Sequence, residues 1–154
     1  MNVGDSTDLR SRLDEIAEAL PTRAAMLSRL FLAQSSVRVS RTEAGVLQAL
    51  AGTPRRVTDL AAREGVTQPA ITLVVNRLER RGWVVRESDP LDGRVVIVAL
   101  TGAGHHAWDQ LRREYQALLH EEMVTLEEAD VEVLSRAIEI LDRLISAVRD
   151  QTQA

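Results

Sequence analysis

The sequence predicts a mainly α fold with one small β-hairpin, and three observations predict it. Two capped helical stretches are joined by a short glycine-bearing turn within residues 58–82. A turn, Asp89-Pro90-Leu91-Asp92-Gly93-Arg94, separates two β-type runs immediately afterwards. Long amphipathic stripes occupy both ends of the chain. With 154 residues, 45% hydrophobic and 27% charged, the composition is globular and large enough for one domain with a helical extension. Only 3% is aromatic, so the expected core is aliphatic. That also weakens any reading built on aromatic stacking with single-stranded nucleic acid.

Taken in order, Leu9, Leu13, Ile16 and Leu20 repeat at helical spacing. Beyond Pro21, Ala24, Leu27, Leu30 and Phe31 carry an apolar face to about Gln34. This predicts a long or kinked first helix. Ser40-Arg41-Thr42-Glu43 is a capping box, in which the serine hydroxyl and the glutamate carboxylate each satisfy one backbone amide. Val46, Leu47 and Leu50 follow, with Gly52 expected to end that helix. Thr58 is expected to open a short third helix closed by Gly65. Thr67 caps a fourth, with Pro69 tolerated in its first turn.

In the fourth helix Ile71, Val74, Val75 and Leu78 form the buried stripe. Gln68, Pro69, Thr72, Leu73, Asn76, Arg77 and Arg80 lie on the opposite face, and Gly82 ends the helix. Residues Trp83–Arg86 and Val95–Leu100 are the strands of the hairpin. Thr101 then caps a helix running to about Met123, with Trp108, Leu111, Tyr115 and Leu118 on one face. Thr125-Leu126-Glu127-Glu128 reads as a second capping box. It opens a last helix whose Leu134, Ile138, Leu141, Ile145 and Val148 make a seam of heptad type. Terminal stripes with so few partners in so short a chain point to packing against a second copy. A contact between the first and last helices is the alternative.

Two helices, a glycine turn and a hairpin in that order form a winged helix-turn-helix pattern. The full expectation is a winged helix-turn-helix at 37–101, flanked by a helical dimerisation region at 1–36 and 102–154. Charge agrees with a nucleic-acid-binding centre: residues 37–101 carry +3 and the remainder −7, for a net charge of −4. All 19 basic residues are arginine.

The second helix of such a motif enters the major groove with its N-terminal residues at the base edges. Gln68 suits adenine N6 and N7, while Thr72 suits a base edge or a thymine methyl. Arg77, Arg80 and Arg81 near the helix end suit phosphates. The hairpin becomes a wing whose Arg94 can enter the narrow minor groove. Asp92 braces that arginine or the turn, and Gly93 supplies positive φ. The bland alternatives are a solvated helix end and an ordinary surface loop.

The stretch from Val39 to Thr101, with Arg-Leu-Glu-Arg-Arg-Gly-Trp-Val at 77–84 and Asp-Pro-Leu-Asp-Gly-Arg at 89–94 leading into Leu100-Thr101, resembles the MarR family of bacterial transcriptional regulators. The resemblance implies a homodimer joined through its terminal helices, a palindromic operator and often release by a small ligand. It also implies base reading by Gln68, Pro69, Thr72 and Leu73. Leu73 departs from the family habit of an arginine or polar residue there. It can touch a thymine methyl but bonds neither phosphate nor guanine.

Other chemistries find little support. The absence of cysteine excludes disulfides, thiolate metal sites and thiol redox sensing. His105 and His106 are adjacent, hence about 100° apart on a helix, and His120 is remote, so no metal is expected. Trp108 and Tyr115 could line a pocket for an aromatic effector, although core packing is the commoner role. No catalytic constellation, phosphate loop or cofactor motif is present. The polar N-terminus and the lack of any long apolar run imply no membrane partner and a cytoplasmic location. The competing functional reading is a winged-helix protein-interaction module that does not bind DNA.

Overall fold

The computed structural model describes residues 3–89, 92 and 95–153. Its elements run α1 (Val3–Gln34), α2 (Arg41–Leu50), β1 (Arg55–Arg56), α3 (Val57–Glu64), α4 (Gln68–Arg80), β2 (Val84–Ser88), β3 (Val96–Leu100), α5 (Gly102–Met123) and α6 (Glu128–Gln153). This is the expected mainly helical fold with a small sheet. The chain divides into two compact units, residues 1–115 and 116–154.

Local chemistry explains most boundaries in the first unit. The α2 capping box is complete: Ser40 Oγ accepts from the Glu43 amide at 3.2 Å, and Glu43 Oε2 accepts from the Ser40 amide at 2.8 Å. The helix ends at Leu50 with Ala51 in right-handed conformation, so Gly52 lies in the turn beyond it. Helix α3 starts at Val57, one residue before Thr58, and its cap residue Arg56 makes no side-chain capping bond, since a guanidinium has no acceptor to offer a backbone amide. Gly65 and Gly82 take φ of 64° and 70°. After α4, the Gly82 amide bonds Glu79 and the Trp83 amide bonds Leu78. The same two-bond closure follows α3 at Gly65 and Val66. This left-handed stop turns the chain sharply from each helix into the next segment. Helix α1 passes through Pro21 without a break.

The core forms where α2, α3, α4 and the sheet meet. Val46, Leu47, Leu60, Ile71, Val75, Leu78 and Val98 are wholly buried, with Val74 and Val84 nearly so. The anticipated α4 stripe is therefore the face that packs inward. The sheet has the order β1-β3-β2 and is antiparallel throughout, with Arg55 opposite Val98 and Val84 opposite Leu100. Sequence reading missed β1, since two residues carry no alternation to detect.

Thr101 Oγ1 accepts from the Gly104 amide and donates to the Gly82 carbonyl. One side chain thus caps α5 and ties it to the end of α4. A second tie joins α5 to the segment after α1. The Glu114 carboxylate accepts from Ser35 Oγ at 2.6 Å, the Ser36 amide at 3.0 Å, Ser36 Oγ and Gln110 Nε2 at 3.2 Å. The Ser35 and Ser36 hydroxyls, with lesser help from Gln110 and the Ser36 amide, pull its pKa from 4.5 to about 2 against the cost of burial. A depressed carboxylate stabilises the fold above its unfolded pKa and loses that contribution as pH falls through the folded value. Thermal melts should therefore show wild type losing its advantage over Glu114→Gln between about pH 4.5 and about pH 2. A gap unchanged across that range would show that ionisation contributes nothing.

In the second unit the Thr125 capping box does not form. The Thr125 hydroxyl donates to the Glu122 carbonyl at 2.8 Å, finishing α5, and α6 begins at Glu128. The Glu127 carbonyl instead accepts from Asp130 and Val131. A threonine just past a helix end can bond backward as readily as forward, and here it bonds backward. No described helix is long and apolar enough to cross a membrane.

Candidate nucleic-acid interface

Helix α4 presents its outer face to solvent. Gln68, Pro69, Leu73, Arg77 and Arg80 are exposed, whereas Thr72 and Asn76 are half-buried. Gln68, Pro69, Thr72 and Leu73 line one shallow concavity, and Leu73, Asn76, Arg77 and Arg80 line its continuation with Glu79. The structure therefore brings together every α4 residue singled out from sequence. Thr72 Oγ1 donates to the Gln68 carbonyl at 2.8 Å, a backward bond along the helix that fixes its rotamer.

The basic side chains are less free than their spacing suggested. Arg77 Nε donates to Glu43 Oε1 at 3.0 Å. Glu43 is buried, with only 5% of its surface exposed, and serves α2 and α4 at once. Burial pushes its carboxyl up, but the Ser40 amide, Arg77 and Ser40 hydroxyl bonds and the Arg81 charge outweigh that and hold it below 4.5. Arg81 Nη1 donates to the Arg38 carbonyl at 2.7 Å, and its guanidinium lies 5.0 Å from the Trp83 ring centre. Arg80 Nε reaches back to the Asn76 carbonyl at 3.4 Å.

Asn76 does not simply face outward. Its Oδ1 accepts from Arg86 Nη2 at 2.6 Å, while Arg86 Nη1 pairs with Glu79. Arg86 lies in β2, so two α4 residues clamp the first strand of the hairpin to α4. Sequence reading missed both Glu43 and Arg86 as organisers of this face. A capping-box glutamate three residues into a helix signals only its local role.

At the wing base, the Asp89 amide bonds the Val95 carbonyl and the Val95 amide bonds the Asp92 carbonyl. Arg56 of β1 pairs with Asp89 at 3.7 Å. Asp92 is exposed at the turn. Gly93 and Arg94 lie outside the described residues.

The two aromatic residues considered for an effector pocket serve packing. Trp108 packs against the core, and Tyr115 stacks on Phe31 with ring centres 5.2 Å apart. The Tyr115 hydroxyl is buried with no partner among the described residues. Burial, aided by the Glu114 charge, pushes its pKa above 10. A separate cleft of about 580 Å3 opens between residues 36–38, Trp83 and the start of α5, with Arg38, Arg81, His106 and Gln110 on its walls. No cluster of metal-ligating side chains exists among the described residues.

The faces proposed for dimerisation are apolar and uncovered in the single chain. Leu9, Leu13, Ile16 and Leu20 on α1 are exposed, as are Leu134, Ile138, Ile145 and Val148 on α6, and Leu141 is half-buried.

Comparison with known proteins agrees with this geometry. Residues 39–95 match the family model described as the MarR family. The chain is 36% identical over 86 residues to the HTH-type transcriptional regulator ML2140 of Mycobacterium leprae, an alignment covering 56% of this chain and 60% of that relative. The match thus spans about three fifths of the relative's length. Among solved structures it resembles the transcriptional regulator BldR of Sulfolobus solfataricus, at 28% identity and TM-score 0.61 over 93% of this chain and 99% of that one. It also resembles apo MarR of E. coli, at 23% identity and TM-score 0.69 over 84% and 96% respectively; at that identity the likeness speaks to fold alone.

Proposed function

From the match of residues 39–95 to the MarR family model and the likeness to HTH-type transcriptional regulators, we propose that this winged helix-turn-helix chain is a MarR-family protein: a homodimeric, sequence-specific transcriptional regulator that binds a palindromic operator and represses until a small effector releases it. The observation that carries this reading is the exposed outer face of α4, with Gln68 and Thr72 in its first turns and the wing strand clamped beside it through Arg86. In this reading residues 37–101 are the DNA-binding lobe, and 1–36 with 102–154 form the dimerisation region. Gln68, Pro69, Thr72 and Leu73 face bases, and Asn76 steadies the wing through Arg86. Arg77 and Arg80 face phosphates, and Asp92, Gly93 and Arg94 form the minor-groove tip. The protein acts in the cytoplasm as a regulator and not as an enzyme.

For the effector, the cleft flanked by Arg38, Arg81 and His106 is the better seat, because Trp108 and Tyr115 are occupied in packing. Its cationic rim and the Trp83 ring suit a small organic anion. Binding there would bear directly on Arg81 at the end of α4.

Mobility shifts on duplexes from the promoter of its own gene and of neighbouring genes test the proposal. The expected result is sequence-preferring binding at moderate salt, and its absence from a folded dimer overturns the reading. Arg94→Ala should weaken binding and make the negative slope of log K against log salt shallower by about one unit. An unchanged slope would remove Arg94 from the interface. A second reading, a protein-interaction module, draws on the exposure of Leu73. It predicts a captured protein partner and no shift with any duplex.

A further inference from the structure

The first two turns of α4, residues 68–75, contain no arginine, lysine, asparagine or acidic side chain. Their polar side chains are Gln68 and Thr72. The Thr72 hydroxyl is spent on the Gln68 carbonyl, so its methyl is left for contact. Among the described residues no hydrogen bond engages the Gln68 amide. Beside it stand Pro69 and Leu73, one helical turn apart, with Leu73 60% exposed. The guanidiniums begin only at Arg77, whose Nε is bonded to buried Glu43, and Asn76 Oδ1 is taken by Arg86.

In a recognition helix the N-terminal half meets base edges and the C-terminal end meets phosphates. Guanine is read by a bidentate Arg or Lys, adenine by Gln or Asn, and thymine by apolar contact with its 5-methyl. The N-terminal half of α4 therefore has the groups for adenine and thymine and lacks those for guanine. We propose that α4 reads A·T base pairs, with the Pro69–Leu73 step packed on thymine 5-methyl groups and the Gln68 amide on the adenine N6/N7 edge. This rests on the DNA-binding reading above.

The test begins with the full-length protein and half-sites selected from a randomised duplex pool. Each thymine of the selected half-site is then replaced singly by uracil, which removes only the methyl, and affinity is read by fluorescence anisotropy. The expected result is A·T pairs at the α4-facing positions and at least one thymine whose replacement weakens wild type about fivefold. Leu73→Ala should bind more weakly and no longer register that replacement. Leu73→Met, which keeps an apolar contact, should still register it. Because Leu73 is exposed, both variants should fold, as thermal melts will check. Wild type indifferent to every thymine-to-uracil change, G·C pairs selected at the α4-facing positions, or Leu73→Ala as sensitive as wild type would overturn the inference while leaving the regulator reading intact. Absence of any selected sequence would overturn the regulator reading itself.

Discussion

Ile138→Asp is expected to yield a folded monomer that binds an operator duplex about 10²- to 10⁴-fold more weakly than wild type. Ile138 is 59% exposed in the single chain, within the Leu134–Val148 seam of α6. An exposed apolar seam of this length on a helix is stable in water when a partner covers it. A carboxylate placed there must either be desolvated without a counter-charge or keep the partner away, and separation is the cheaper outcome. In the proposed homodimer two recognition helices hold one operator, and tethering multiplies affinity by the factor given. Splitting the dimer removes that factor and leaves each winged lobe intact. Light scattering after size exclusion reads the oligomeric state, and anisotropy reads the affinity. A variant that remains dimeric and binds as wild type would show that α6 is not the joining surface. Leu9→Asp on α1 extends the comparison to the other exposed stripe.

Two glycines in the first turn of α5 should respond unequally to the same substitution. Gly104→Ala should lower the unfolding free energy by about 2 kcal/mol or more. A methyl at Gly104 would overlap the Trp83 carbonyl oxygen, lie 2.9 Å from its carbon and come within 3.1 Å of Leu100 Cδ2. The carbonyl cannot yield, because it accepts from the Thr101 amide at 3.0 Å, where the hairpin passes into α5. Alanine's helix propensity, worth about 1 kcal/mol over glycine, does not offset a backbone collision. A Cβ at Gly102 meets nothing within 4 Å. Gly102→Ala should therefore be neutral or stabilising by up to about 1 kcal/mol. Urea unfolding at matched protein concentration measures both. Equal effects at the two positions would mean that the Trp83 contact does not constrain α5.

Much of the winged helix-turn-helix was legible because its signals are local. Ser40 with Glu43, Thr67 with the Ala70 amide, and Gly65 and Gly82 at helix ends are decided within four residues of each other. Ile71, Val74, Val75 and Leu78 repeat at helical spacing and are buried together. Thr125 shows the limit of such signals. Its hydroxyl had acceptable partners on either side, and the chain's path toward α6 chose the backward one.

The sequence by itself determined the order of elements, the buried face of α4 and the exposed set Gln68, Pro69 and Leu73, since helical periodicity and caps depend on neighbours in the chain. Only the tertiary structure decided how the side chains beside that set are employed. Glu43 and Arg77 are 34 residues apart and Asn76 and Arg86 are ten. Gly104 is constrained by Trp83, and the two-residue β1 exists only because β3 pairs with it. Such contacts arise when separate elements are brought within hydrogen-bonding distance, and no spacing rule along a single element contains that distance.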